Sequence, residues 1–225
     1  MSTSEHDGII AALENYTTCD VSDALCRLGH PDGGYLPGIS MWSPERQGGS
    51  TKIIGPVHTV KYALHDDLSP ACPTHYIDEV PKNSVIFVSS PADNPNAVFG
   101  GLMAMRAKVR GAVGCVIDGR FRDLHEQRKA SFPIFARDVG TAPPYGFVKV
   151  VGVGVPITVT QDGRSKTISP SDFIVADLNG VVVLPGNLTS EVLDIIRSMQ
   201  AADTQVAAAL IEGMPFAEAS KKYRA

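Results

Sequence analysis

The residues of this chain best suited to chemistry are Arg122 and Asp123, adjacent in the run GRFRD. A carboxylate can hold a hard divalent cation, and a guanidinium offers a planar fork that fits a carboxylate or oxo group. Upstream stand Gly100 and Gly101, where the backbone can turn tightly and approach a ligand closely. They open the segment beginning Leu102-Met103, and the free amides at the start of a helix form a seat for an anion. Binding a small anionic ligand is the chemistry these groups share. An exposed Arg-Asp pair on a loop is commonly a weak salt bridge and nothing more. What raises this one is its place after a buried strand and opposite a glycine-opened helix. Arg120 has two readings, contact with the distal carboxylate of a diacid or a solvated surface role. Asp118 reads as a turn former and Asp177 as a hairpin residue, while His58, His65, His75 and His125 show no metal-ligand spacing.

The positioning elements follow from periodicity and punctuation. Residues 102–110 are good helix formers except Val109, and Gly111 supplies the stop. Residues 112–117 have the length and apolar character of a strand covered on both faces, with 118–123 as the loop at its carboxyl end. In open α/β sheets ligands sit at such ends. A short helix over 74–80, strands over 84–89 and 132–136, and a helical turn over 124–129 complete an α/β sheet with parallel elements. Further on, strands over 147–155, 157–160, 174–176 and 181–184 are closely spaced and should be mostly antiparallel. Asp162-Gly163 and Asn179-Gly180 supply their hairpin turns. Two helices are expected near the N-terminus, over 7–16 and from Thr18 with Asp20 as N-cap. Residues 30–49, containing Trp42, read as a long irregular segment, and 52–64 as a strand with a bulge or start at Gly55-Pro56. Residues 187–225 close the chain with helices, the first capped by Thr189 or Ser190 and stopped by Gly213.

Composition bounds the rest. The chain has 225 residues, 44% hydrophobic and 20% charged, with a formal net charge of −4. That balance argues for a globular chain and against nucleic acid or an anionic membrane as the main partner. No apolar run approaches the ~20 residues of a membrane span, and MSTSEHDGII lacks the pattern of a secretory signal. Cys19, Cys26, Cys72 and Cys115 form no CxxC pair, so the expectation is four reduced, mostly buried thiols in a cytoplasmic protein.

The run NAVFGGLMAMRAKVRGAVGCVIDGRFRD and the later SDFIVADLNGVVVLP carry a family resemblance. With TTCDVSDAL, KIIGPVHTV and EGMPFAEASKKY in the same order, the chain resembles the class II pyruvate aldolases and oxaloacetate decarboxylases. That family is related to the regulator of ribonuclease activity and includes 4-hydroxy-4-methyl-2-oxoglutarate aldolase. The resemblance implies a compact α/β/β sandwich-like fold of the swivelling-domain type. It implies a single domain over 1–225, its terminal helices (1–28 and 187–225) packing on it or on neighbouring subunits of a homotrimer or hexamer. It also implies a divalent metal, Mg2+ or Mn2+. By the same resemblance Asp123 matches the metal-binding aspartate and Arg122 the arginine that holds the pyruvyl group. Leu102 and Met103 match the amides that receive the substrate carboxylate, while Gly100 and Gly101 read as a tight turn, as the place of close substrate approach, or as both. Two positions depart from the pattern. Gly101 stands where many relatives have an acidic or amide residue. Asp203 stands where a glutamate reaches the metal waters from a neighbouring subunit. The implied activity is a metal-dependent lyase cleaving 4-hydroxy-2-oxo acids to pyruvate and decarboxylating oxaloacetate. The alternative is a non-catalytic regulator that binds and inhibits a ribonuclease.

Overall fold

The computed structural model of the chain describes residues 3–30, 32–161 and 163–224. Helices α1 (Thr3–Leu13) and α2 (Thr18–Arg27) lead. They are followed by the strands β1 (Ser40–Ser43), β2 (Ile53–Leu64) and β3 (Val85–Ser89). Then α3 (Gly101–Arg110), β4 (Gly114–Phe121), α4 (Leu124–Lys129) and β5 (Ile134–Val139) alternate. Next come β6 (Val148–Val153), β7 (Ile157–Gln161), β8 (Arg164–Ile168), β9 (Phe173–Asp177) and β10 (Gly180–Leu184). Helices α5 (Thr189–Ile211) and α6 (Phe216–Tyr223) end the chain.

The mixed α/β class expected from the pattern is the one adopted. The main sheet runs β1-β5-β4-β3-β2-β9-β10, with β6 also on β2, and β7-β8 forms a separate hairpin. Strands β2 to β5 are mutually parallel, and the pairings of β6, β9 and β10 are antiparallel. Ahead of β1, Leu36 N–H donates to Val181 O and Val183 N–H to Gly34 O, both at 2.9 Å. These bonds tie the segment leading into β1 to β10 and nearly close the sheet into a barrel. Alternation along the strands then fills three cores. Val85 and Phe87 of β3 join Val116, Phe135, Ile157, Ile168 and Ile174 inside the barrel. Ile86 and Val88 face outward with Cys115 and Ile117, under Ala104 and Ala107 of α3. Leu13, Val21, Leu25, Val192 and Ile196 of α1, α2 and α5 cover the outer face of β2, β9 and β10.

Several expectations are corrected. The N-cap of α2 is Thr17, and Asp20 is its reciprocal capping-box partner, accepting from Thr17 N–H at 2.7 Å. Residues 30–49 are not wholly irregular: β1 lies inside them, paired antiparallel with β5. Trp42 there is buried, its indole N–H donating to Ala136 O at 3.1 Å, so it belongs to this chain's own core. Strand β2 runs unbroken through Gly55-Pro56, and its irregularity falls at Lys61/Tyr62, where it pairs with β6. The expected helix over 74–80 is only a 3-10 turn, Tyr76–Asp78. Strand β8 was not foreseen because RSKTI is polar and gains its place only by pairing with β7. Asp162 of that hairpin turn lies outside the described residues. No side chain caps α5; the Thr189 hydroxyl instead donates to Gly186 O at 3.1 Å. The apolar stripe of α5 is divided: Val206 and Ala209 pack only with Ala219 of α6 and its neighbours. Of the cysteines only Cys115 is buried, while Cys19 and Cys26 are exposed on α2. Asp177 is more than a hairpin residue. Its carboxylate accepts from Thr18 N–H at 2.9 Å and the Thr18 hydroxyl at 2.7 Å, fastening α2 to β9.

Lys52 closes the end of α1. Its ammonium donates to Leu13 O at 2.7 Å, to Glu14 O at 3.0 Å and to Tyr16 O. Partial burial pushes its pKa down, yet the ammonium gathers three carbonyls at and just past the end of α1. Replacing it, Lys52→Met, is expected to lower stability by about 1–3 kcal/mol. Urea unfolding measures this, and a midpoint equal to wild type would show that water serves the three carbonyls equally well.

Candidate functional site

The connection β3–α3–β4 builds the site. Val98 N–H donates to Arg120 O and Arg122 N–H to Phe99 O, both at 2.9 Å. The chain entering α3 is therefore stitched alongside the end of β4. Phe99 is anchored below by stacking on Phe132, with ring centroids 6.4 Å apart. As a result the N-terminus of α3 and the residues after β4 meet at the carboxyl ends of the parallel strands. The first helical hydrogen bond of α3 is Ala104 N–H to Gly100 O at 3.1 Å, so the amides of Leu102 and Met103 precede it. Strand β4 itself extends through residues 118–121, which the sequence pattern placed in a loop. Only Arg122 and Asp123 separate β4 from α4.

Asp123 is the N-cap of α4 but does not cap it. Its backbone is left-handed, φ 62 and ψ 40, and its side chain makes no hydrogen bond to its own helix. The carboxylate turns across to α3, where its Oδ2 accepts from Gly101 N–H at 2.9 Å. Arg122 Nε lies 3.6 Å from the same oxygen, with both side chains about a third exposed. An ion pair this open contributes at most about 1 kcal/mol. A left-handed backbone on a residue with a β-carbon costs a similar amount, about 1–2 kcal/mol. The pairing is thus no obvious gain in stability, and a strained residue holding a half-open carboxylate is a familiar feature of functional sites. Gly100 makes the arrangement possible. A β-carbon there would stand 2.8 Å from Asp123 Oδ2 and 3.4 Å from Arg122 Nε.

Two neighbours escaped sequence reading. Glu126 stands one helical turn beyond Asp123, and its Oε2 would be 1.8 Å from a β-carbon at Gly101. The signal for it was the i, i+3 spacing from Asp123. Gln127 is fully buried and its amide nitrogen reaches Arg122 O at 3.4 Å, while its Oε1 has no partner. No pattern in the sequence marks it. Asp203 is not brought to this place within the chain; it lies on α5, where Arg224 Nε holds it at 2.5 Å.

Two cavities adjoin. One of about 650 Å³ at the ends of β3, β4 and β5 is lined by Asn94, Asp118, Arg120, Arg137 and Asp138 among others. Asp118 there is no turn residue: it lies in β4, paired with Arg137. Burial pushes its carboxyl up, and the Arg137 guanidinium pulls it down. Arg120 sits 4.0 Å from Asp138. A second cavity of about 780 Å³ between α3 and α4 is lined by Gly101, Met105, Val109, His125 and Glu126 among others. Neither cavity is lined by Arg122 or Asp123. That pair lies in the open notch at the α3 N-terminus, which is where carboxylate, guanidinium and free amides converge.

A divalent cation of the magnesium type fits this donor set. Such ions keep several waters and take one or two carboxylates. Among the described residues no three His, Cys, Asp or Glu side chains converge as a metal-holding group, so a cage made wholly of side chains is not built here. Asp123, in the space left free at Gly100, is the side chain that would hold it.

Residues 18–183 match the family model described as RraA-like: Aldolase/RraA. The Legionella pneumophila protein DlpA is 29% identical over 96% of this chain, but the chain spans only 34% of DlpA's length. A Halalkalibacterium halodurans protein, provisionally named 4-hydroxy-4-methyl-2-oxoglutarate aldolase, is 31% identical over 90% of this chain and 88% of its own. A crystal structure of an uncharacterised protein from Pseudomonas syringae pv. tomato superposes with a TM-score of 0.82 at 31% identity. That match covers 96% of this chain and 94% of the other. A nearly closed mixed sheet, a glycine-opened helix and an Arg-Asp pair at one strand end are thus set in a chain that belongs to the RraA-like family.

Proposed function

We propose that the chain is a divalent-metal-dependent lyase. Its substrates would be 4-hydroxy-2-oxo acids of the 4-hydroxy-4-methyl-2-oxoglutarate type, cleaved to pyruvate, and oxaloacetate, decarboxylated to pyruvate. The observation that carries this reading is Asp123, whose carboxylate forgoes its own helix to lie at the N-terminus of α3 beside Arg122. Aldolase naming of a 31% identical relative supports it.

Mg2+ or Mn2+ at this place would supply Lewis-acid stabilisation of the negative charge that develops on the 2-oxo group. Asp123 would hold the cation. Arg122 orients the pyruvyl carboxylate or oxo group through its two-pronged fork, which a lysine does not reproduce. The amides of Leu102 and Met103 receive the carboxylate, favoured by the positive end of the helix. Gly100 and Gly101 keep side chains out of the approach. We place the whole chain in one working domain that acts as a homotrimer or hexamer, with Asp203 of a neighbouring copy near the cation.

The competing reading is a non-catalytic regulator that masks a ribonuclease; the pairing of aldolase with RraA in the family description favours keeping it in view. Pyruvate release from oxaloacetate decides. The purified chain should lose it to a chelator and recover it with Mg2+ or Mn2+; turnover untouched by chelation contradicts the proposal. Asp123→Asn keeps an acceptor for Gly101 N–H but loses the charge, and kcat/KM should fall about 100-fold or more. Arg122→Lys should cost about 10–100-fold, and kcat/KM within twofold of wild type would remove Arg122 from its role. Gly100→Ala should displace Asp123 by the crowding described and lose a comparable factor with Tm little changed. Full activity in that variant would show that the close approach is irrelevant.

A further inference from the structure

We infer that Glu126 supplies a second carboxylate to the cation site anchored by Asp123, occupying the space above Gly101 that a side chain at position 101 would otherwise fill. The inference rests on the metal-dependent reading above.

The argument begins with why residue 101 is a glycine. Its backbone does not require one: Gly101 is the first residue of α3 and is absent from the residues with positive φ, unlike Gly111 at the other end, φ 89. What requires it is room. A β-carbon at 101 would stand 1.8 Å from Glu126 Oε2, 2.8 Å from Glu126 Cδ and 3.1 Å from Glu126 Cβ. The bare α-carbon is therefore covered by the end of the Glu126 side chain.

The direction of that side chain is the second point. Glu126 is the third residue of α4, three beyond the N-cap, where a glutamate can turn back to bond the N-cap amide. Here it does not, and neither does Asp123 cap the helix. Both acidic residues leave α4 and face the first residue of α3 instead: Asp123 through the Gly101 N–H, Glu126 over the Gly101 α-carbon. Glu126 N–H is bonded to Asp123 O at 2.9 Å, which fixes the backbone from which both side chains start. The recorded ion-pair neighbour of Glu126 is His125 Nε2 at 3.9 Å, and its side chain is half exposed. A divalent cation at the start of α3 would be met by one carboxylate on the amide side of Gly101 and another over its α-carbon.

Mn2+ titration of the full-length chain by calorimetry tests this, with circular dichroism to confirm folding. Wild type should bind Mn2+ saturably, and Asp123→Ala should abolish it. Glu126→Gln, which keeps the covering of Gly101 but loses the charge, should weaken Mn2+ binding about 10–100-fold. Moving the carboxylate across, in Gly101→Asp combined with Glu126→Ala, should recover affinity to within about threefold of wild type. Wild-type affinity in Glu126→Gln overturns the inference and leaves the lyase reading standing. A double variant as weak as Glu126→Ala alone shows that only packing was lost, which also overturns it. Absence of Mn2+ binding in the wild type, by contrast, overturns the metal-dependent reading and this inference with it.

Discussion

A single hydrogen bond organises this molecule's candidate chemistry: Gly101 N–H to Asp123 Oδ2, at 2.9 Å, across the gap between two helices. It joins the start of α3 to the start of α4 and fixes a carboxylate where the helix offers its positive end. Its existence depends on Gly100 having no side chain, because a β-carbon would intrude on the same oxygen. It also depends on Asp123 accepting a left-handed backbone. Asparagine and aspartate visit that region more readily than most residues, so the chemistry of the side chain and the tolerance of the backbone coincide.

The rest of the fold serves to hold those two helix ends together. Parallel pairing of β3 with β4 puts both carboxyl ends on one side, and the α3 crossover begins on that same side. Hydrogen bonds from Val98 and Arg122 then lock the incoming chain onto the end of β4. Beneath them the stacked Phe99 and Phe132 and the buried Gln127 leave little freedom for the Arg122 backbone. No helix among the described residues is long and apolar enough to cross a membrane.

Much of this was legible in the sequence, and the misses have physical causes. Helix α3 was bounded by its own glycines, and the buried core of β4 by its unbroken apolar run, both local signals. The end of β4 was not, because Asp118, Gly119 and Arg120 interrupt the apolar run and are kept in strand form by neighbours on either side. For the same reason β1 and β8 were invisible: short or polar stretches become strands only when a partner supplies the hydrogen bonds. At the site, Arg122 and Asp123 were legible by type and position. Glu126 and Gln127 were not, since one acts by filling the space over a distant glycine and the other by burial under a carbonyl. Such contacts are made by the fold and leave no motif. The family resemblance was correct at the level of the family.

The central claim is that the notch between α3 and α4 is a cation site anchored by Asp123. Anomalous diffraction from crystals grown with Mn2+ and oxalate, a pyruvate-enolate mimic, tests it most directly. The account predicts an anomalous peak about 2.0–2.2 Å from an Asp123 carboxylate oxygen, with oxalate facing Arg122 and the amides of Leu102 and Met103. A strong peak elsewhere on the molecule, with none at Asp123, would contradict it.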